Sequence, residues 1–152
     1  RWTGSTEVGG EDGGTVEDRT APHDAPDTSD GNLDIERLEL LRELSPDDTA
    51  YLDRVIGGFL GRRADALTRI RAAVAADDPA RLAAEAHGMK GSALNIGLPV
   101  VGGLAGDLEH LGRAGGTVGA DDLLLRFEAA LQDAEEGLLA YQEWYRSLAA
   151  GA

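Results

Sequence analysis

The chain has 152 residues, 28 of them acidic and 14 basic, and it carries a formal net charge of −14 with no cysteine. This balance argues against a nucleic-acid partner or an anionic membrane surface, and the lack of cysteine excludes disulfides and thiolate metal sites. No apolar run reaches the roughly 20 residues of a membrane span, so we expect no direct membrane contact by this domain. Because the lack of cysteine gives no sign of an oxidising compartment, the expected location is the reducing cytoplasm.

The first 32 residues are rich in Gly, Asp, Glu, Thr and Pro, and this composition predicts an acidic disordered linker over 1–32. The remaining 33–152 are predicted to form the folded domain. Because the chain begins at Arg1 and its only methionine is Met89, we expect it to be one module of a longer protein, which can itself be anchored in a membrane.

Apolar residues at helical spacing predict a short first helix that ends before Ser45-Pro46; they are Leu33, Ile35, Leu38, Leu41 and Leu44. Ser45 is then the expected N-cap of a long second helix that runs to about Ala76, with Pro46 at its first position.

Three further helices follow in the chain. Asp78-Pro79 and Gly97 bound a third helix from about Pro79 to Ile96, because they supply an N-cap, a first-turn proline and a C-terminal glycine. A fourth helix is predicted from about Pro99 to Gly112 and a last one from about Asp121 to Leu148. The pattern predicts an all-α fold: an antiparallel four-helix bundle with a short additional N-terminal helix.

The third helix carries the residue of greatest chemical interest, His87. At roughly 100° per residue the apolar side of this helix is formed by Leu82, Ala86, Met89, Ala93 and Ile96. His87 lies roughly 140° from the centre of that side, so its imidazole is expected to point towards solvent.

The residues that share the exposed face with His87 are small or apolar, which favours close approach by another protein; we predict a docking face of Ala83, Ala84, Gly88, Gly91 and Leu94. The simpler alternative is an alanine-rich helix in a chain of biased composition.

The segment from Ala86 to Gly97, AHGMKGSALNIG, resembles the signature of histidine-containing phosphotransfer (HPt) domains, a histidine followed at three and four positions by Lys and Gly. The helices around it, from about Leu33 to Leu148, are similar to that family's layout. The resemblance implies that His87 takes a phosphoryl group from an aspartyl phosphate on one receiver domain and passes it to another.

The residues are consistent with that chemistry. A neutral imidazole has a ring nitrogen free for attack on phosphorus, and Lys90 can neutralise charge on the phosphoryl oxygens. Receiver domains of response regulators or hybrid sensor kinases are the expected partners. They would bring the Mg²⁺, so we expect no metal site or cofactor in this domain, and we expect it to be a monomer.

Two other interpretations stay open. A histidine kinase dimerisation domain also phosphorylates a helical histidine, but such domains usually carry an acidic residue where this chain has Gly88. The chain also lacks a phosphate-binding glycine loop, so transfer from ATP is not expected. A helical adaptor that binds a signalling partner without chemistry is the second alternative, and it predicts that His87 is dispensable.

Overall fold

A computed structural model describes residues 32–45 and 49–151, and regular structure within these ranges is α-helical. There are five helices in the described ranges: α1 (Ile35–Glu43), α2 (Ala50–Ala75), α3 (Pro79–Ile96), α4 (Pro99–Arg113) and α5 (Ala120–Gly151). The all-α class and the bundle with a short additional helix are confirmed. Nearly all of the predicted linker, 1–31, lies outside the described residues.

The four long helices form a closed bundle in which each one packs against two others. Helix α3 lies between α2 and α4, and α5 lies between the same two on the far side, with no α3–α5 packing in the described ranges. Helix α1 crosses the end of the bundle against α2 and α3. The predicted apolar side of α3, from Leu82 to Ile96, is buried in the core.

The predicted start of α2 is wrong. The helix begins at Ala50 with Thr49 as its N-cap, whereas Ser45 still belongs to the turn that closes α1, where its amide donates to the carbonyl oxygen of Arg42 at 3.2 Å. Ser45 therefore cannot serve as the N-cap of α2. Residues 46–48, which include the proline expected at the first position of α2, lie outside the described residues.

Polar contacts tie α1 to the end of α3. The Arg37 guanidinium donates to the backbone oxygen and to the side-chain oxygen of Asn95, both at 2.7 Å. The amide of Asp34 donates to the carbonyl oxygen of Gly97 at 2.8 Å. These bonds satisfy groups at the C-terminus of α3 that the helix leaves without an intrahelical partner.

Candidate functional site

Helix α3 holds His87 near its middle, between two well-defined ends. Asp78 caps the N-terminus by accepting from the amide of Arg81 at 3.1 Å, with Pro79 in the first turn. Gly97 ends the helix in the left-handed conformation with φ 92°, which glycine adopts without a Cβ clash. The His87 side chain is 63% exposed, so the orientation expected from the helical wheel is confirmed.

The carboxylate of Glu109, on the neighbouring helix α4, contacts three basic side chains around this site. Nδ1 of His87 lies 2.9 Å from Oε2 of Glu109, and Nζ of Lys90 lies 2.7 Å from Oε1. Nη2 of Arg113, one turn further along α4, lies 2.6 Å from Oε2. The Glu109 side chain is only 4% exposed, because these partners cover it just beneath the surface.

The contacts of Glu109 favour its ionised form. The hydrogen bond from Lys90 is the largest influence and lowers the pKa of Glu109, desolvation opposes it, and the hydrogen bond from His87 and the charge of Arg113 lower the pKa further. An ionised carboxylate only accepts hydrogen bonds, so the ring nitrogen that faces it, Nδ1 of His87, has to carry its proton. In the neutral form of the imidazole, Nε2 is then the nitrogen with the free lone pair.

Close packing of α4 against α3 brings Glu109 to this position. Gly112 is buried against the first turn of α3, where an added Cβ would meet the backbone of Pro79 and Ala83. At Gly106 an added Cβ would lie 3.3 Å from Cδ of Lys90. Glycine at these positions lets the two helices approach closely enough for the side chains of α3 to reach the α4 carboxylate.

The predicted docking residues divide between two sides of His87. Ala84 and Gly88 line a groove between α2 and α3. Gly91 is exposed, and an added Cβ there would meet no atom within 4 Å. These three positions leave the approach to the imidazole open.

The other two docking candidates lie towards α4. Ala83 is partly buried against Gly112, and Leu94 packs over Gly102 while remaining 50% exposed. Leu94 thus packs against α4 and also exposes apolar surface to a partner.

The sequence pattern predicts no role for Glu109 or Arg113. A signal was present: the spacing of the small buried residues Gly102, Ala105 and Gly112 places Glu109 on the same buried side of α4. A carboxylate at such a position requires cationic partners. Which cations these are depends on the register of α4 against α3, which the pattern of α4 alone does not give.

Two structural findings bear on other classes of function. Across 32–45 and 49–151, no group of three or more His, Cys, Asp or Glu side chains is placed to hold a metal ion. No helix in the same ranges is both long and apolar enough to cross a membrane.

Comparison with known proteins identifies the family. No curated protein matches the chain significantly in sequence. The family model of the Hpt domain matches residues 54–137, which is more than half of the chain and extends from the first turns of α2 into α5. The match includes His87, Lys90 and Glu109 and leaves out α1. The chain therefore belongs to the Hpt domain family, the histidine phosphotransfer modules of two-component phosphorelays.

Proposed function

We propose that His87 is the phosphoacceptor and that it takes a phosphoryl group from the aspartyl phosphate of one receiver domain and passes it to the aspartate of another. The observation that carries this proposal is the contact between Nδ1 of His87 and the covered carboxylate of Glu109. It supports an exposed imidazole with a fixed tautomer, in which Nε2 is the nucleophile.

The proposed step is an in-line displacement at phosphorus. The Nε2 lone pair of His87 forms the new N–P bond, the P–O bond to the receiver aspartate breaks, and the bonding pair leaves with the aspartate as a carboxylate. No proton has to move. The ring, which keeps its Nδ1 proton, gains positive charge, and the Glu109 carboxylate 2.9 Å away stabilises that charge. Transfer to the second receiver is the same step reversed.

Lys90 and Arg113 are suited to stabilise the phosphoryl oxygens. The Lys90 ammonium has three donors and the Arg113 guanidinium has five, so each retains donors after its contact with Glu109. Both side chains are partly exposed beside His87, at 35% and 65%. We propose that the Mg²⁺ of the reaction is held by the receiver, as is usual where carboxylates and phosphoryl oxygens share a metal.

The direct test is labelling by phosphorylated receiver domains, read by intact mass as an acid-labile phosphoryl group. Wild-type protein should gain one such group, and His87→Gln should gain none. His110→Gln is the matched control, because His110 is an exposed histidine on α4. Persistent labelling of His87→Gln would refute the role of His87. Receiver binding without labelling, unchanged by that substitution, would favour the adaptor.

Two finer expectations belong to the same proposal. We expect the domain to act as a monomer, since transfer to a receiver requires only one exposed imidazole; sedimentation should then give a single-chain mass at assay concentration. We also expect the reaction to take place in the cytoplasm, which a fluorescent fusion of the full-length protein tests.

A further inference from the structure

The positive charge of the domain is concentrated on two of its helices. Helix α2 contains five arginines against two aspartates, and α3 contains two cations against one glutamate. Each of the other three helices contains more carboxylates than cations, and α5 has seven carboxylates against two arginines. The side of the bundle formed by α2 and α3 therefore attracts negatively charged groups, although the chain as a whole is acidic.

Three exposed arginines on this side have no carboxylate within ion-pair distance in 32–45 and 49–151: Arg54, Arg62 and Arg81. The other four cations of α2 and α3 are paired with carboxylates, as are the cations of α4 and α5. The Arg62 guanidinium extends back over Gly58, where an added Cβ would lie 2.9 Å from Nη1, and this brings it towards Arg54. We call these three arginines the arginine row; their charge is not balanced by any described carboxylate.

The arginine row passes His87. Arg62 lies on the α2 side of the groove beside this histidine, and Gly88 lies on the opposite side of the groove. Arg81 lies about two helical turns before Gly88, which places it on the same side of α3. A group that lies along the arginine row therefore covers the approach to His87.

The chain itself supplies a segment of opposite charge. Residues 1–31 contain eight carboxylates and two arginines, and all eight carboxylates lie between Glu7 and Asp30. We call residues 7–30 the acidic segment. Its net charge is opposite in sign to that of the arginine row.

The point of attachment places the acidic segment within reach of the row. The amide of Asp34 donates to the carbonyl oxygen of Gly97 at 2.8 Å, so the chain enters the domain at the C-terminal end of α3. From Gly97 it is about 15 Å along α3 to His87 and about 24 Å to Arg81. An extended chain spans about 3.3 Å per residue, so about eight residues cover that length.

We propose that the acidic segment lies along the arginine row of its own domain and thereby shields His87 from receiver domains. Attachment to the domain gives the segment a local concentration on the order of millimolar, so that a weak contact is occupied much of the time. Its carboxylates would also repel the negatively charged phosphoryl group. The shielding of transfer rests on the proposed function of His87, whereas the contact itself does not.

A spin label tests the contact without any phosphotransfer. The chain has no cysteine, so Thr20→Cys provides a single attachment site within the acidic segment. At low salt the paramagnetic relaxation of the amides of Arg62 and Gly88 should exceed that of Asp133 and Glu136, exposed on α5, by at least about threefold, and 1 M salt should remove most of this difference. Equal relaxation on the two sides, or a pattern that salt leaves unchanged, would overturn the proposal.

Charge reversal in the labelled protein separates a specific contact from mere proximity. Arg62→Glu should lower the relaxation at Gly88 by about half at low salt. Arg126→Glu is the matched control, because Arg126 is exposed on α5 and only 3.6 Å from the exposed Asp122. The control should leave the relaxation at Gly88 unchanged, and equal effects of the two reversals would contradict the contact.

The shielding is tested by removing three negative charges at two places. One variant neutralises the carboxylates of the acidic segment nearest the domain: Asp24→Asn, Asp27→Asn and Asp30→Asn. The control neutralises three exposed carboxylates of α5: Asp133→Asn, Glu136→Gln and Glu143→Gln. At low salt we expect kcat/KM of transfer from a receiver domain to rise about fivefold in the first variant and to stay within about twofold of wild type in the control.

The outcomes keep the two proposals apart. Equal transfer rates for the two triple variants at low salt would overturn the shielding. If the spin label shows the contact but His87→Gln is phosphorylated as wild type is, the contact stands and the phosphotransfer role of His87 is refuted.

Discussion

Substitution of Gly112 by alanine should separate the two helices that form the site. An added Cβ at Gly112 would lie 2.6 Å from the carbonyl oxygen of Pro79 and 2.7 Å from the amide nitrogen of Ala83. Both atoms belong to the backbone of α3, so no side-chain rotation relieves the overlap. Ordinary contact begins at 3.4 Å, which means that the helices must move apart by 0.8 Å (3.4 − 2.6) at this point.

Two opposing effects set the size of the change in stability. Overpacking of this kind costs about 1–3 kcal/mol. Alanine gains up to about 1 kcal/mol over glycine in a helix interior. We therefore expect Gly112→Ala to lower the free energy of unfolding by about 0–3 kcal/mol, and to be less stable than a control that has only the helix-propensity gain by about 1–3 kcal/mol. Because Glu109 lies one turn before Gly112, the same movement should lengthen its contact with His87 and slow phosphotransfer.

Urea unfolding of Gly112→Ala beside Gly103→Ala measures the effect. Gly103 is exposed on the same helix, and an added Cβ there would meet nothing within 4 Å. The control should therefore gain up to about 1 kcal/mol from helix propensity alone. If Gly112→Ala is as stable as Gly103→Ala, the close approach of α3 and α4 is not what constrains this position.

Three further substitutions test other parts of the structure. The pKa of Glu109 lies below its ordinary value of 4.5, so the stability that its ionised form contributes is present above pH 4.5 and is lost as the pH falls through the lower folded-state pKa. The difference in free energy of unfolding between wild type and Glu109→Gln should therefore shrink as the pH falls over that range. A difference that stays constant would contradict the ion-pair assignment. Arg37→Ala removes both hydrogen bonds to Asn95 and should cost about 1–2 kcal/mol, with faster amide exchange in α1; unchanged exchange there would show that other contacts hold α1. Desolvation raises the pKa of Asp53, but hydrogen bonds, of which that from Tyr145 is the strongest, bring it below the ordinary 3.8. Tyr145→Phe should raise that pKa in a carboxyl NMR titration and cost about 1 kcal/mol, whereas an unchanged titration would argue against the bond.

Helix ends are predictable from the sequence where interactions between close neighbours in the chain set them. The bounds of α3 agree with the prediction because Asp78, Pro79 and Gly97 act on their immediate neighbours. The start of α2 was misplaced because Ser45-Pro46 has the form of an N-cap signal. A competing backbone bond to Arg42 keeps Ser45 in the preceding turn.

The candidate site was predictable only where a single helix determines it. The exposure of His87 follows from the wheel of α3, and the neighbouring Lys90 lies one turn away on the same helix. The roles of Glu109 and Arg113 depend on how α4 packs against α3. His87 and Glu109, which are in contact, lie 22 positions apart in the chain. Helical periodicity does not contain that information.

The arrangement of charges around Glu109 has a consequence for the resting and loaded states of the site. One carboxylate faces two permanent cations, Lys90 and Arg113, so with a neutral imidazole the cluster has a local charge of +1. In the proposed reaction the phosphorylated ring contributes −1, from a doubly negative phosphoryl group on a positive ring, and the cluster becomes neutral. On this mechanism the empty site attracts the negatively charged group that it receives, and the loaded site carries no net local charge.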